Sequence, residues 1–207
     1  MMRVWLLPLL SILAFFAQPA AAATSPSLVN LERQLDYMVA SKGSDVGIAA
    51  IDLQTGETVA LKGHTPFPMA STVKIAVAAL YLSQVEHGRR SLDDQIDGVS
   101  ARSLMSRMMI RSDNRATDLL LNDLGGPQAL HQWLAQNGVQ GLRVDRSIAR
   151  LLSDKRDLWD VRDSSTPLAM VDLLKRIYRA ELIRPSSRNY LLDLMAKCQT
   201  GKNRIRG

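Results

Sequence analysis

Phe67-Pro68-Met69-Ala70-Ser71-Thr72-Val73-Lys74-Ile75-Ala76-Val77-Ala78-Ala79-Leu80-Tyr81-Leu82 is the stretch on which the fold turns. Prolines punctuate the approach, Ser71 and Thr72 stand where an N-cap is expected, and the residues that follow are good helix formers, apolar on every side. The pattern predicts a helix buried all round, an unusual setting for Lys74. Ser71 and Lys74 are three residues apart, which in a helix puts both side chains on one face with Cβ atoms about 5–6 Å apart, close enough for hydroxyl and amine to meet. A serine is a poor nucleophile until an adjacent base takes its proton, and a desolvated lysine has the lowered pKa such a base needs. The pattern Ser-x-x-Lys also arises about once by chance in a chain this long, and a helix cap followed by a snorkelling lysine produces it equally well.

Upstream of this stretch, Val46 to Leu53 is β-prone and apolar, Gln54-Thr55-Gly56-Glu57 supplies a turn, and Thr58 to Leu61 resumes the strand character, predicting a hairpin. Leu28, Leu31, Leu35, Met38 and Val39 repeat before it at helical spacing, up to Ser41-Lys42-Gly43. At the N-terminus, Arg3 precedes an apolar run from Val4 to Phe16, and Gln18-Pro19-Ala20-Ala21-Ala22-Ala23 offers Ala-x-Ala cleavage sites. Residues 1–23 thus read as a secretory signal peptide, which predicts a periplasmic or secreted protein. The run is too short for a comfortable membrane span and no later stretch approaches about 20 apolar residues, so no membrane association is expected after signal removal. Cys198 is the only cysteine, which excludes an internal disulfide.

Downstream the character is helical. The opening helix stops at His87-Gly88, and Ser91 to Ile96 reads as a short polar connection. Helices follow at Ser103–Ile110, Ala116–Leu124 and Pro127–Gln136; Leu142–Ser165 reads as an ordered loop with one helical turn; Pro167–Ala180 and Ser186–Lys197 read as two more helices. The class is α+β. The formal charge of +6 is spread over scattered basic residues among nearly as many acids and without interleaved aromatics, which argues against nucleic-acid binding. His64, His87 and His131 lack the spaced acid or thiol partners of a metal centre, so neither metal nor other cofactor is expected.

Ser112-Asp113-Asn114 is the second informative element. Alone it reads as a polar turn in which Ser and Asn cap the next helix. Joined to Ser71-x-x-Lys74 in this order, it makes the chain resemble the penicillin-recognising serine hydrolases, most closely the class A β-lactamases, whose signatures are Ser-x-x-Lys, Ser-Asp-Asn and Lys-Thr-Gly. Gly47-Ile48-Ala49-Ala50-Ile51-Asp52 before a Thr-Gly turn and Arg162-Asp163-Ser164-Ser165-Thr166-Pro167 are similar too. The resemblance implies a two-lobed fold, a five-stranded antiparallel sheet flanked by helices plus an all-helical lobe, with the site between them, and a division into residues 24–65 as the first part of the α/β lobe, 66–185 as the all-helical lobe and 186–207 as an incomplete return to the first. It implies that Ser71 is the acylated nucleophile, Lys74 its activating partner, Ser112 the group that passes a proton to the leaving nitrogen, and Asn114 a hydrogen-bonding partner of the substrate's acyl side chain. The backbone N–H of Ser71 becomes half of an oxyanion hole. Arg146 and Asp163 are expected to pair across the neck of a loop. The implied protein is a monomer acting on a small β-lactam or a peptidoglycan peptide.

Two departures accompany the matches. The family's loop opens with Asp-Arg, matched by Asp145-Arg146, and carries a glutamate that activates the hydrolytic water. Here that place falls on Ile148, or on Arg150 when counted back from Arg162-Asp163, so acylation is expected to proceed while deacylation stalls. Asp154, Asp157 and Asp160 are candidate substitutes, more simply read as solvated loop charges. The segment between Lys74 and Ser112 is also shorter than in typical members. The second departure is the run from Lys197 to Gly207, which looks like the approach to the Lys-Thr-Gly strand and stops before it, so three strands are expected to be missing from this chain. Three readings follow: a β-lactam-opening hydrolase, a D-alanyl peptidase or general serine hydrolase acting on peptidoglycan-type substrates, and an inactive fragment or non-catalytic relic.

Overall fold

In the computed structural model, residues 26–41, 43, 45–154 and 160–201 are described; the segment read as a signal peptide and Asp157 lie outside them. Helix α1 (Pro26–Ser41) carries the amphipathic repeat and lies beside a hairpin of β1 (Ile48–Ile51) and β2 (Thr58–Leu61). The strands are antiparallel, with Ile48 opposite Leu61 and Ile51 opposite Thr58. The Asp52 carboxylate accepts hydrogen bonds from the backbone of Gln54 and Thr55, which closes the turn.

A two-residue strand β3 (Phe67–Pro68) leads into a 3₁₀ turn at Ala70–Thr72 and then α2 (Val73–Glu86). Ten α2 residues are buried, including Lys74 and the run Ala76–Ser83. That follows from a helix apolar on all sides, which can be stable only at the centre of a core. Around it pack α3 (Ala101–Arg111), α4 (Asn114–Asp123), α5 (Gly126–Gln136) and α8 (Pro185–Ala196). Leu104, Met105, Met108, Leu120, Leu130 and Leu191 fill the space between them with almost no exposed surface. The short helix α6 (Ile148–Ser153) lies in the loop after α5 and packs on α4, while α7 (Pro167–Tyr178) covers β1.

The local chemistry differs from expectation at three places. Ser71 and Thr72 do not cap α2 through their side chains; the chain enters through the 3₁₀ turn, and the Thr72 hydroxyl donates back to Met69 O at 2.7 Å. The supposed polar connection holds a second hairpin, β4 (Gln95–Ile96) with β5 (Val99–Ser100), turned by Asp97 and Gly98, both with positive φ, as a tight hairpin turn requires. The cap of α4 is Asp113 rather than Ser112 or Asn114, because only the Asp113 carboxylate reaches back to Ala116 N–H, at 3.0 Å. Finally, β6 (Ser164–Ser165) pairs antiparallel with β3, tying the end of the loop to the approach to Ser71.

Candidate active site

Ser71 sits in the 3₁₀ turn, exposed, one residue after Ala70, whose φ is +47°. A non-glycine residue in the left-handed region costs about 1–2 kcal/mol, and the surroundings over-determine it here: Met69 N–H donates to Asp163 O at 3.0 Å and β3 is locked to β6. One turn further along α2, Lys74 is only 3% exposed. Its Nζ donates to Ser112 O at 2.6 Å, Ser112 Oγ at 2.8 Å and Asn114 Oδ1 at 2.7 Å. Ser112 Oγ in turn donates to Ser71 Oγ at 2.9 Å.

Four of the residues singled out in the sequence therefore converge, with one revision. Among the described residues, the link between Lys74 and Ser71 runs through the Ser112 hydroxyl rather than directly. Lys74 uses all three of its N–H donors on acceptors supplied by the 112–114 turn, so its head group is turned across the site toward α4. Ser112 adopts φ +56° as the C-cap of α3, the second left-handed non-glycine residue of the site.

Burial is the largest influence on the Lys74 amine and holds its pKa below the ordinary lysine value, against the opposing fields of Asp113 and Asp118. Asp113 is held below the usual carboxylate range by its hydrogen bond from Ala116 N–H and by the Arg107 guanidinium, outweighing its desolvation. Asp118 accepts from Ile148 N–H at 2.6 Å and Ala149 N–H at 2.8 Å, capping α6. The sequence reading singled out neither Arg107 nor Asp118, although Asp118 on the polar face of a helix following Ser-Asp-Asn was a detectable signal.

Arg146 and Asp163 form a closely held pair at the neck of the loop. Asp163 accepts from Arg146 Nε at 2.5 Å and from the backbone of Asp145 and Arg146 at 2.8 and 3.0 Å. Arg146 also reaches Asp154 at 2.9 Å and Asp160 at 3.3 Å, so these two carboxylates are partners of a largely covered cation rather than solvated loop charges. Burial alone would lower the Arg146 pKa, but its hydrogen bonds to Asp163 and Asp154 more than reverse this. Because one largely covered guanidinium serves three carboxylates, Arg146→Met is expected to destabilise the fold by about 3 kcal/mol, read from urea unfolding midpoints. Asp154 is held below the usual range by Arg146, and Asp160 by Arg162. Their contribution is therefore present at neutral pH and lost on acidification, and the protection of amides at residues 145–154 and 160–163, measured relative to their intrinsic exchange rates, should fall as pH drops below about 4.

Residues 30–207 match the family described as the beta-lactamase enzyme family. The chain belongs to it. It is 29% identical to the L2 beta-lactamase of Stenotrophomonas maltophilia, over 87% of this chain and 66% of that protein. It is 27% identical to the carbapenem-hydrolyzing beta-lactamase KPC of Klebsiella oxytoca, over 95% and 73%. The chain thus spans about two thirds of the L2 enzyme's length. The structure superposes on an ancestral class A beta-lactamase of Gram-negative bacteria with a TM-score of 0.80 at 33% identity, covering 85% of this chain and 74% of the other. A beta-lactamase from Desulfarculus baarsii gives 0.81 at 26% identity, covering 86% and 73%.

In this beta-lactamase family member a small cavity lies beside Ala70, the neighbour of Ser71. Val73, Val77, Leu121, Ile148 and Leu151 line it together with Thr117, Arg146 and Asp163, and its volume of about 10 Å³ is at the lower limit for one water. Ile148, on which the expected glutamate's place falls, is 7% exposed, while Arg150 is exposed and pairs with Asp154 at 2.9 Å. The carboxylates of Asp113, Asp118 and Asp163 all hold other partners.

Proposed function

We propose that the full-length protein is an exported serine hydrolase that opens β-lactam rings through an acyl-enzyme on Ser71. The observation that carries this is the continuous hydrogen-bond chain from buried Lys74 through Ser112 to exposed Ser71. With Lys74 neutral, the chain reverses: Ser71 passes its proton to Ser112 as Ser112 passes its own to Lys74, and Ser71 Oγ bonds to the lactam carbonyl carbon. As the ring C–N bond breaks, the proton returns through Ser112 to the leaving nitrogen. Asn114, already a partner of the lysine, stands beside the path to hold the acyl side chain, and the Ser71 N–H supplies one oxyanion donor. Release then requires water to attack the ester carbonyl and Ser71 Oγ to recover a proton.

Two lobes, divided at residues 65 and 185, and export directed by residues 1–23 belong to this proposal. No helix among the described residues is long and apolar enough to cross a membrane. The apolar Ile148 surface favours a second reading with the same nucleophile, in which a D-alanyl peptide is the working substrate and β-lactams acylate and stay. Labelling the full-length protein with a fluorescent penicillin should mark one peptide, the one containing Ser71, with loss of the label in Ser71→Ala. Competition of that label by a D-alanyl-D-alanine peptide would support the second reading, and indifference to it the first.

A further inference from the structure

We propose that Arg107 is a positioning residue that holds the Ser112 hydroxyl between Lys74 and Ser71. It is exposed enough to read as a surface arginine, yet it grips the 112–114 turn from two sides. Its carbonyl accepts from Ser112 N–H and from Asp113 N–H, the latter at 3.3 Å. Its guanidinium donates through Nε at 3.0 Å and Nη2 at 2.6 Å, both to Asp113 Oδ2. That leaves Asp113 Oδ1 to cap α4 through Ala116 N–H at 3.0 Å. The two carboxylate oxygens thus join the end of α3 to the start of α4, and Ser112 is the residue caught between them in the left-handed conformation. Such a backbone persists in a non-glycine residue only where its surroundings impose it, and Arg107 contributes restraints from both its main chain and its side chain.

Arg107 also sets the charge seen by the base. Asp113 and Asp118 from the α4 side both act on Lys74, whose hydrogen-bond partners, Ser112 and Asn114, are neutral; Arg107 offsets part of that field by pairing with Asp113. Without it, the unopposed Asp113 carboxylate favours the protonated lysine, and the neutral base appears only at higher pH.

The inference rests on Ser71 being the acylated residue, and its test separates the two. In the full-length protein, the rate of penicillin adduct formation is followed by mass spectrometry against pH for wild type, Arg107→Met and Arg107→Lys. The expected result is acylation about ten-fold slower in Arg107→Met, with its acid limb moved to higher pH, and an acid limb restored by Arg107→Lys. A folded Arg107→Met with wild-type rate and limb overturns the proposal, as does a slower rate with an unmoved limb, which would mean a structural role only. If Arg107→Met does not fold, Arg107→Gln is compared with Arg107→Lys by the same two readouts. An absence of adduct in the wild type would instead remove the acyl-enzyme reading on which all of this depends.

Discussion

Lys74→Arg is expected to lose acylation by about a hundred- to ten-thousand-fold, the range by which a positioned proton acceptor accelerates a reaction. Arginine keeps the positive charge and can satisfy Ser112 and Asn114 as a donor, so the 112–114 turn retains a cationic partner. What it cannot do is release a proton at accessible pH. A wild-type rate in this variant would show that Lys74 is only a structural cation. The pH profile gives the sign independently. Desolvation lowers the Lys74 pKa, and the base is the deprotonated form, so acylation should rise with pH through an acid limb below the ordinary lysine value of 10.5. Lys74→Met removes charge and donors together, orphaning Ser112 O and Asn114 Oδ1, and should cost stability as well as rate.

The second large effect concerns release. Ile148 stands in the wall of the small cavity beside Ala70, where Thr117 spends its hydroxyl on Asp113 O. Among the described residues that line it the one carboxylate, Asp163, is already held by Arg146, which leaves a water on this side of the ester without a free base. The acyl group should therefore stay on the wild-type protein far longer than it takes to form. Ile148→Glu places a carboxylate in that wall, where burial raises its pKa toward the range of a working base. It is expected to hasten release about a hundred-fold, measured as decay of the adduct after excess penicillin is removed. The same burial should lower stability by about 1–3 kcal/mol. Unchanged decay in a folded Ile148→Glu would place the limit on release elsewhere.

The parts of this molecule that were legible in the sequence are those set by local periodicity. The α2 run is apolar at every position, which leaves it no place but the core, and the Gln54–Glu57 turn between two β-prone runs specifies its hairpin. The β4–β5 pair was missed because strands of two residues give no alternation to read, although Asp97-Gly98 is a strong turn signal. At the site, the residue types were legible and their connectivity was not. A spacing of three suggested that Ser71 and Lys74 touch; the 3₁₀ entry displaces Ser71 from the regular helix, and Lys74 finds its acceptors at positions 38 and 40 residues away. Asp154 and Asp160 looked like solvated charges because nothing local shows that the loop folds over Arg146. The grip of Arg107 on Asp113 depends on the left-handed Ser112 turning the chain back, a conformation no residue-type pattern announces.

The most direct measurement of the central claim is the intact mass of the full-length protein during exposure to a penicillin, for wild type and Ser71→Ala. The account predicts one covalent adduct of the full penicillin mass on the wild type, formed quickly and lost slowly, and none on Ser71→Ala. An adduct of equal size and rate on Ser71→Ala, or none on a folded wild type, would contradict it.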